Sequence, residues 1–236
     1  MAIQRRLSAT MVLPIAFFVG MTDCRRPDGA AARHGGIEQD SYEPHGNLDE
    51  YIARQESSER AAWQKPDEVV AALELEPGER VADVGCGPGY FTIPIAKAVG
   101  PTGKVWAVDI EPKMLARTSE HAVAAGLANI EYVHCVADDP LLPSGVVDTI
   151  LIVNTFHHFS DRRAYVAKLR KALVRGGRIV NIDFIPKPQE QRGFGPPLEM
   201  QLPRDTVDAD MAAAGLRPVK VHEFLPEQYF FEYRPK

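Results

Sequence analysis

Three glycines and three carboxylates carry most of the chemistry this chain can do. In VADVGCGPG, residues 81–89, an apolar run ends in Asp83 and then turns through Gly85, Gly87 and Gly89. A helical pattern, YFTIPIAKAV, follows at once. Strand, glycine turn and helix N-terminus in that order present bare backbone amides to a ligand, and glycine permits positive φ and close approach where a Cβ would intrude. Two more acidic residues stand where later strands end. Asp109 closes KVWAVD, and Asp138 follows NIEYVHCVA. A carboxylate at Asp109 can take both hydroxyls of a ribose, and one at Asp138 can accept a hydrogen bond from the exocyclic amine of adenine. One such Asp would be an ordinary helix cap. Three in register with a glycine turn point to an adenosine-bearing ligand. The turn reads G-x-G-x-G, not the G-x-G-x-x-G of nicotinamide folds, and no Gly-Lys-Ser/Thr follows, which excludes a P-loop.

A second candidate group is Asn154-Thr155-Phe156-His157-His158, placed after a strand-like run, VVDTILIVN. His157 or His158 can act as a base toward a ligand at the strand ends, or can simply satisfy hydrogen bonds in the turn leading into the next helix. A metal is not expected, because adjacent histidines at a strand end point apart and no carboxylate–histidine helix motif accompanies them. Cys24, Cys86 and Cys135 show no C-x-x-C pairing, so neither a zinc site nor a disulfide framework is expected.

These residues need a scaffold, and the pattern supplies one. LDEYIARQESSERAAW reads as one helix over 48–63, and Pro66 opens another that Pro77-Gly78 ends. Strands follow at RVADVG, KVWAVDI, NIEYVHCVA, VVDTILIVN and GGRIVNIDF. Helices separate them: one stopped by Gly100-Pro101, one from Pro112 with Gly126 as its C-terminal cap, and RRAYVAKLRKAL capped by Asp161. Beyond a Pro/Gly-rich loop at 185–203 and a helix near 205–214, PVKVHEFL and QYFFEYR form a hairpin around Pro226-Glu227. Five βα repeats require an α/β fold with a doubly wound, Rossmann-like parallel sheet, and the hairpin adds an antiparallel strand. Such sheets bind ligands at the strand carboxyl ends where the strand order reverses.

Composition sets further bounds. The 236 residues are 45% hydrophobic and carry a net charge of −5 without a long basic run, which disfavours nucleic acid as a partner. At the N-terminus, Arg5 and Arg6 precede LSATMVLPIAFFVGM, whose densest part is too short to span a bilayer. Residues 1–24 therefore read as a secretory or membrane-attachment signal, with Cys24 where a lipoprotein would be lipidated, although Asp23 departs from the small-residue pattern. The alternative is an unstructured leader or a mis-assigned start codon on a cytoplasmic protein. Residues 25–47 read as a linker and 48–236 as one domain. In that domain 48–65 carries the polar-aromatic cluster Glu59, Arg60, Trp63, Gln64 and Lys65.

With these motifs together, the chain resembles class I S-adenosylmethionine-dependent methyltransferases over about residues 66–236. The resemblance rests on DVGCGPG, VDIEP, VADD, NTFHHF and GGRIVNIDF. It implies a seven-stranded sheet whose last strand is antiparallel, and S-adenosyl-L-methionine as cofactor. Asp83 belongs to the motif for the methionine end, and Gly85, Cys86, Gly87 and Gly89 would contact the amino acid moiety. Asp109 would hold the ribose, Ile110 would pack on the base, Asp138 would hold the adenine amine, and Asn154 would lie near the sulfonium. Residues 48–65 would form a lid, although Trp63 can equally be core packing. The expected activity is in-line methyl transfer to a small-molecule acceptor by a monomer or weak dimer. A protein methyltransferase and a non-catalytic adenosylmethionine-binding module are the alternatives. NTFH in place of an NPPY-type tetrad argues against adenine and glutamine acceptors, and too few cysteines remain for arsenite.

Overall fold

The computed structural model describes residues 47–236; the signal-like segment and all but the last residue of the linker lie outside the described residues. Seven strands form one sheet in the order β3-β2-β1-β4-β5-β7-β6. They are β1 (Arg80–Val84), β2 (Lys104–Asp109), β3 (Ile130–His134), β4 (Val147–Val153), β5 (Leu173–Phe184), β6 (Leu216–His222) and β7 (Gln228–Pro235). The first five run parallel, and β7 enters antiparallel to β5. From β1 the chain winds outward through β2 and β3, then returns to β4 on the other side. The reversal lies between β1 and β4, and the crevice beyond their carboxyl ends is the expected ligand position.

Strand alternation divides the core into two layers. Ala82, Val84, Ile150 and Ile152 face Tyr165 and Leu169 of α6 (Arg162–Ala172) and Val207 and Met211 of α8 (Arg204–Ala213). Val81, Leu151, Val153 and Val180 face Val69 of α3 (Pro66–Ala72) and Ile95 and Val99 of α4 (Thr92–Val99). Local signals act as expected. Asp161 Oδ1 accepts from Ala164 N at 3.0 Å, Pro112 opens α5 (Pro112–Ala124), and Gly126 sits at φ 66° beyond its end.

Three local expectations are corrected. The helix over 48–63 is two helices, α1 (Leu48–Gln55) and α2 (Arg60–Gln64), because Ser57 Oγ takes the Glu59 amide at 3.3 Å and so competes with helical bonding. The closing hairpin is looser than Pro226-Glu227 suggests: β6 stops at His222, which pairs with Phe230, and residues 223–227 form the loop. The 185–203 loop is also not featureless, since it carries the short helix α7 (Gln189–Arg192) and a 3-10 turn at Leu198–Met200.

Candidate cofactor site

The three glycines of the β1–α4 turn all lie at positive φ, at 73°, 55° and 89° for Gly85, Gly87 and Gly89. They serve different purposes. A Cβ on Gly85 would stand 2.2 Å from Thr155 Oγ1, and one on Gly89 would stand 2.9 Å from Thr118 Cγ2. Gly87 alone of the three faces open space, with nothing within 4 Å of a Cβ. Its backbone is held from both sides: the amide donates to Asp109 Oδ2 at 2.8 Å and the carbonyl accepts from Thr118 Oγ1 at 2.8 Å. Cys86 turns its thiol inward against Ala107 and Leu115, so it offers the crevice only backbone. Burial, with Asp109 and Asp83 nearby, holds that thiol protonated.

The acidic strand ends are not equivalent. Asp83 is buried and accepts from Thr92 Oγ1 at 2.6 Å. Burial pushes its carboxyl up to about 6, the Thr92 bond opposes this, and Asp109 adds to it. Asp109 is 7% exposed, and its Oδ1 accepts from Glu111 N at 2.9 Å. Its pKa is raised by burial against the pull of the backbone donors Glu111 and Gly87. Each carboxylate oxygen keeps a second lone pair for a ligand hydroxyl. Ile110 is partly buried beside it. Asp138 stands apart: its side chain is 88% exposed and lies 3.7 Å from Lys168 Nζ.

Over this edge lie the N-terminal helices. Arg60 of α2 is buried, with Nη1 bonded to Gln55 O at 2.9 Å and Gln55 Oε1 at 2.7 Å, and with Nε donating to Gln64 Oε1. Its guanidinium stacks 4.1 Å from the Tyr90 ring centre. Burial lowers its pKa to about 10, with Tyr90, Tyr51 and Asp83 opposing. Tyr51 of α1 feels both Arg60 and Asp109. Glu56, just after α1, anchors the pair of helices through Arg117 of α5, Nε and Nη2 donating at 2.6 and 3.0 Å. Trp63 stacks on Phe194 at 4.7 Å and so meets the 185–203 loop.

At the exit of β4, Asn154 adopts φ 52° and its Oδ1 accepts from Gln228 Nε2 at 2.6 Å. Thr155 is the residue packed against Gly85. His157 Nδ1 lies 2.9 Å from both oxygens of Asp183, near the end of β5, and the two side chains are 3% exposed. The rings of His157 and His158 sit 4.2 Å apart. This corrects the expectation that adjacent histidines point apart, because the 3-10 turn Phe156–His158 replaces strand alternation there. No group of His, Cys, Asp and Glu suited to a metal occurs among the described residues.

The arrangement fits adenosylmethionine on its own features. Gly87 offers a side-chain-free cradle beside a carboxylate able to take ribose hydroxyls. Two buried polar atoms without a protein partner among the described residues, Gln64 Nε2 and Tyr90 Oη, flank Arg60 and suit an amino acid carboxylate, while Asp83 suits its ammonium. A family model described as a methyltransferase domain matches residues 81–177. The chain is 29% identical over 115 residues to a ubiquinone/menaquinone biosynthesis C-methyltransferase of Burkholderia cenocepacia, covering 49% of this chain and 47% of that protein. It is likewise 29% identical over 122 residues to a demethylmenaquinone methyltransferase of Bacillus cytotoxicus, covering 52% and 51%. The chain thus spans about half the length of the curated relatives it matches. A crystal structure of a SAM-dependent methyltransferase from Aquifex aeolicus superposes with a TM-score of 0.72 at 27% identity, covering 78% of this chain and 96% of that one. Residues 81–177 thus match a methyltransferase domain, and the chain is similar in fold and sequence to an S-adenosylmethionine-dependent methyltransferase.

Sequence reasoning missed Tyr51 and Asp183, and it gave Thr155, within its second candidate group, no role of its own. Asp183 had a signal: it is the acidic end of the fifth strand, NIDF, and repeats the pattern of Asp83 and Asp109. Thr155 had none, because its role is to fill the space that Gly85 leaves.

Proposed function

We propose that this protein transfers the methyl group of S-adenosylmethionine to a small-molecule acceptor by in-line displacement. The single observation that carries the reading is the Gly87 cradle pinned to Asp109. A carboxylate already ordered by two backbone amides needs little reorganisation to receive a ribose. Bound there, the cofactor supplies a methyl carbon activated by positive sulfur, and catalysis then depends on holding the acceptor in line at about 3–3.5 Å. In this reading Asp83 meets the ammonium, and Arg60, Gln64 and Tyr90 meet the carboxylate. Ile110 packs on the base, and Asn154 and Thr155 border the methyl. Asp138 reaches the adenine amine only by leaving Lys168. The quinone acceptors named for the curated relatives favour a small molecule over a protein, and the lid formed by α1, α2 and the 185–203 loop suits a small, enclosed acceptor.

The test is calorimetry with adenosylhomocysteine, followed by its release from adenosylmethionine on incubation with phenol, amine and thiol acceptors. Micromolar binding with turnover supports the reading. Binding without turnover on any acceptor class favours the binding-module alternative, and absence of binding refutes both. For the N-terminal segment we propose export or membrane attachment, tested by fractionation and by mass spectrometry for lipid on Cys24.

A further inference from the structure

We infer that His157 and Asp183 form a proton-abstracting pair, His157 receiving the acceptor's proton and Asp183 positioning it, and that the acceptor carries a phenolic or quinol hydroxyl. This rests on the methyltransferase reading. The pair is placed by two strand exits. Thr155 fits against Gly85, so the β4 turn leaves the sheet beside the cofactor turn, and His157 follows two residues on. Asn154 N bonds Ile182 O at 2.8 Å, which fixes that turn to β5 immediately before Asp183. Asp183 is fixed in turn: its Oδ1 accepts from Phe184 N at 2.9 Å. A carboxylate held this way orients the imidazole with Nδ1–H toward it and leaves Nε2 as the basic position. Among the described residues, both hydrogen bonds of the His157 ring run from Nδ1 to Asp183. The groups around the pair are His158 on the same turn and Tyr229 of β7, which is in register opposite Asp183. Asp208 of α8 stands beyond Tyr229.

A base at the exit of β4 favours some acceptors over others. A thiol titrates near 8.5 and supplies thiolate unaided, and a neutral amine attacks first and sheds its proton afterwards. A phenol, with a pKa of about 10, is a poor nucleophile until its proton leaves. In the proposed step the hydroxyl proton passes to His157 Nε2. The oxygen lone pair, or the ortho ring carbon into which it delocalises, bonds to the methyl carbon. The carbon–sulfur bond breaks, and its electrons neutralise the sulfonium to a thioether. O-transfer leaves the imidazolium to release its proton to solvent; C-transfer also expels the ring proton.

The experiment uses catechol and dithionite-reduced naphthoquinol, with 4-nitrocatechol as an acceptor already ionised near neutral pH. Adenosylhomocysteine release is followed in the full-length wild type, His157→Gln and Asp183→Asn. We expect kcat on catechol or naphthoquinol to fall about 10²–10⁴-fold in His157→Gln and about 10-fold or more in Asp183→Asn. On 4-nitrocatechol both variants should recover to within about 5-fold of wild type, with cofactor affinity unchanged. A purely structural pin would lose equally on every acceptor, and that equal loss overturns the inference. So does a wild type that binds cofactor yet turns over only amines or thiols, or none of these probes. If His157→Gln fails to fold, Asp183→Asn and the wild-type acceptor series decide. Loss of wild-type cofactor binding would instead overturn the proposed function, a separable result.

Discussion

Gly85 and Thr155 are complementary: the space a Cβ would need on the first is filled by the side chain of the second, 2.2–2.7 Å away. The contact joins the cofactor turn after β1 to the exit turn of β4. Gly85→Ala therefore meets two penalties, about 1–2 kcal/mol for a side chain at φ 73° and about 1–3 kcal/mol for overpacking. Thr155→Gly should return the second part and leave the first. Gly87→Ala has open space and should cost only the conformational part, yet weaken adenosylhomocysteine binding at least about 10-fold, because its methyl occupies the cradle. Urea unfolding and calorimetry on the three variants check the pattern. Equal destabilisation by the two alanines would contradict it.

Asp83 gives a pH dependence whose sign is fixed. Its carboxyl is raised from 3.8 to about 6 when folded, chiefly by burial, so the folded state binds the extra proton between those values. Stability from this group therefore falls as pH rises through that window, by about 2–3 kcal/mol in all, and is level above it. A ligand ammonium favours the ionised form, so cofactor affinity should move the opposite way and rise with pH. Calorimetry at pH 6 in two buffers of different ionisation enthalpy should show proton release on binding. Asp83→Asn should flatten the stability slope, raise stability at pH 8 and weaken binding. A slope that persists in Asp83→Asn would place the titration elsewhere.

How far these relationships were legible depends on their range. The doubly wound parallel sheet followed from the βα alternation, since right-handed crossovers admit few windings. Gly87 and Asp109 were visible because a ligand-facing turn and an acidic strand end leave local marks. Asp138 shows the limit of that logic, since its loop presents the carboxylate to Lys168 and solvent. The break between α1 and α2 was hidden by a continuous helical pattern that two serines interrupt. Thr155 and Tyr51 act through Gly85 and Asp109, far along the chain, and no local pattern encodes such pairings; Asp183 bears the mark of an acidic strand end, but its pairing with His157 does not.

The lid should respond to its anchor. Glu56 takes Arg117 in a two-point bond and lies 3.3 Å from His121 Nε2, whose Nδ1 in turn is 2.9 Å from the carbonyl of Pro88 in the cofactor turn. The hydrogen bonds and charge of Arg117, with His121 nearby, keep the Glu56 carboxyl below its usual range against the effect of burial. These side chains are 25% and 40% exposed, so Glu56→Gln should cost global stability no more than about 1 kcal/mol. Its effect on the lid should be larger. Amides of residues 48–64 should exchange faster, and adenosylhomocysteine should dissociate several-fold faster. Unchanged exchange there would mean that α1 is held by something else.

The amino-terminal end of the sheet has a buried charge network that should govern stability without touching the cofactor. Arg178 of β5 donates from Nη1 to Glu232 of β7 at 3.0 Å and from Nε to Thr149 of β4 at 3.0 Å, and Nη2 reaches the carbonyl of Leu73 after α3. Glu232 also meets His222 Nε2 at 2.7 Å, so one carboxylate joins β5, β6 and β7. With the two side chains of the ion pair 10% and 3% exposed, removing either partner strands a charge in low dielectric. Glu232→Ala should therefore cost about 3–5 kcal/mol in urea unfolding, whereas the double change Arg178→Met with Glu232→Leu should cost far less, since no charge is left unpaired. Because Arg178 sits beside Thr149, at the opposite end of the strands from Gly87, affinity for adenosylhomocysteine should hold in every variant that folds. An affinity loss in the double variant would show that the hairpin is coupled to the cofactor edge through β5.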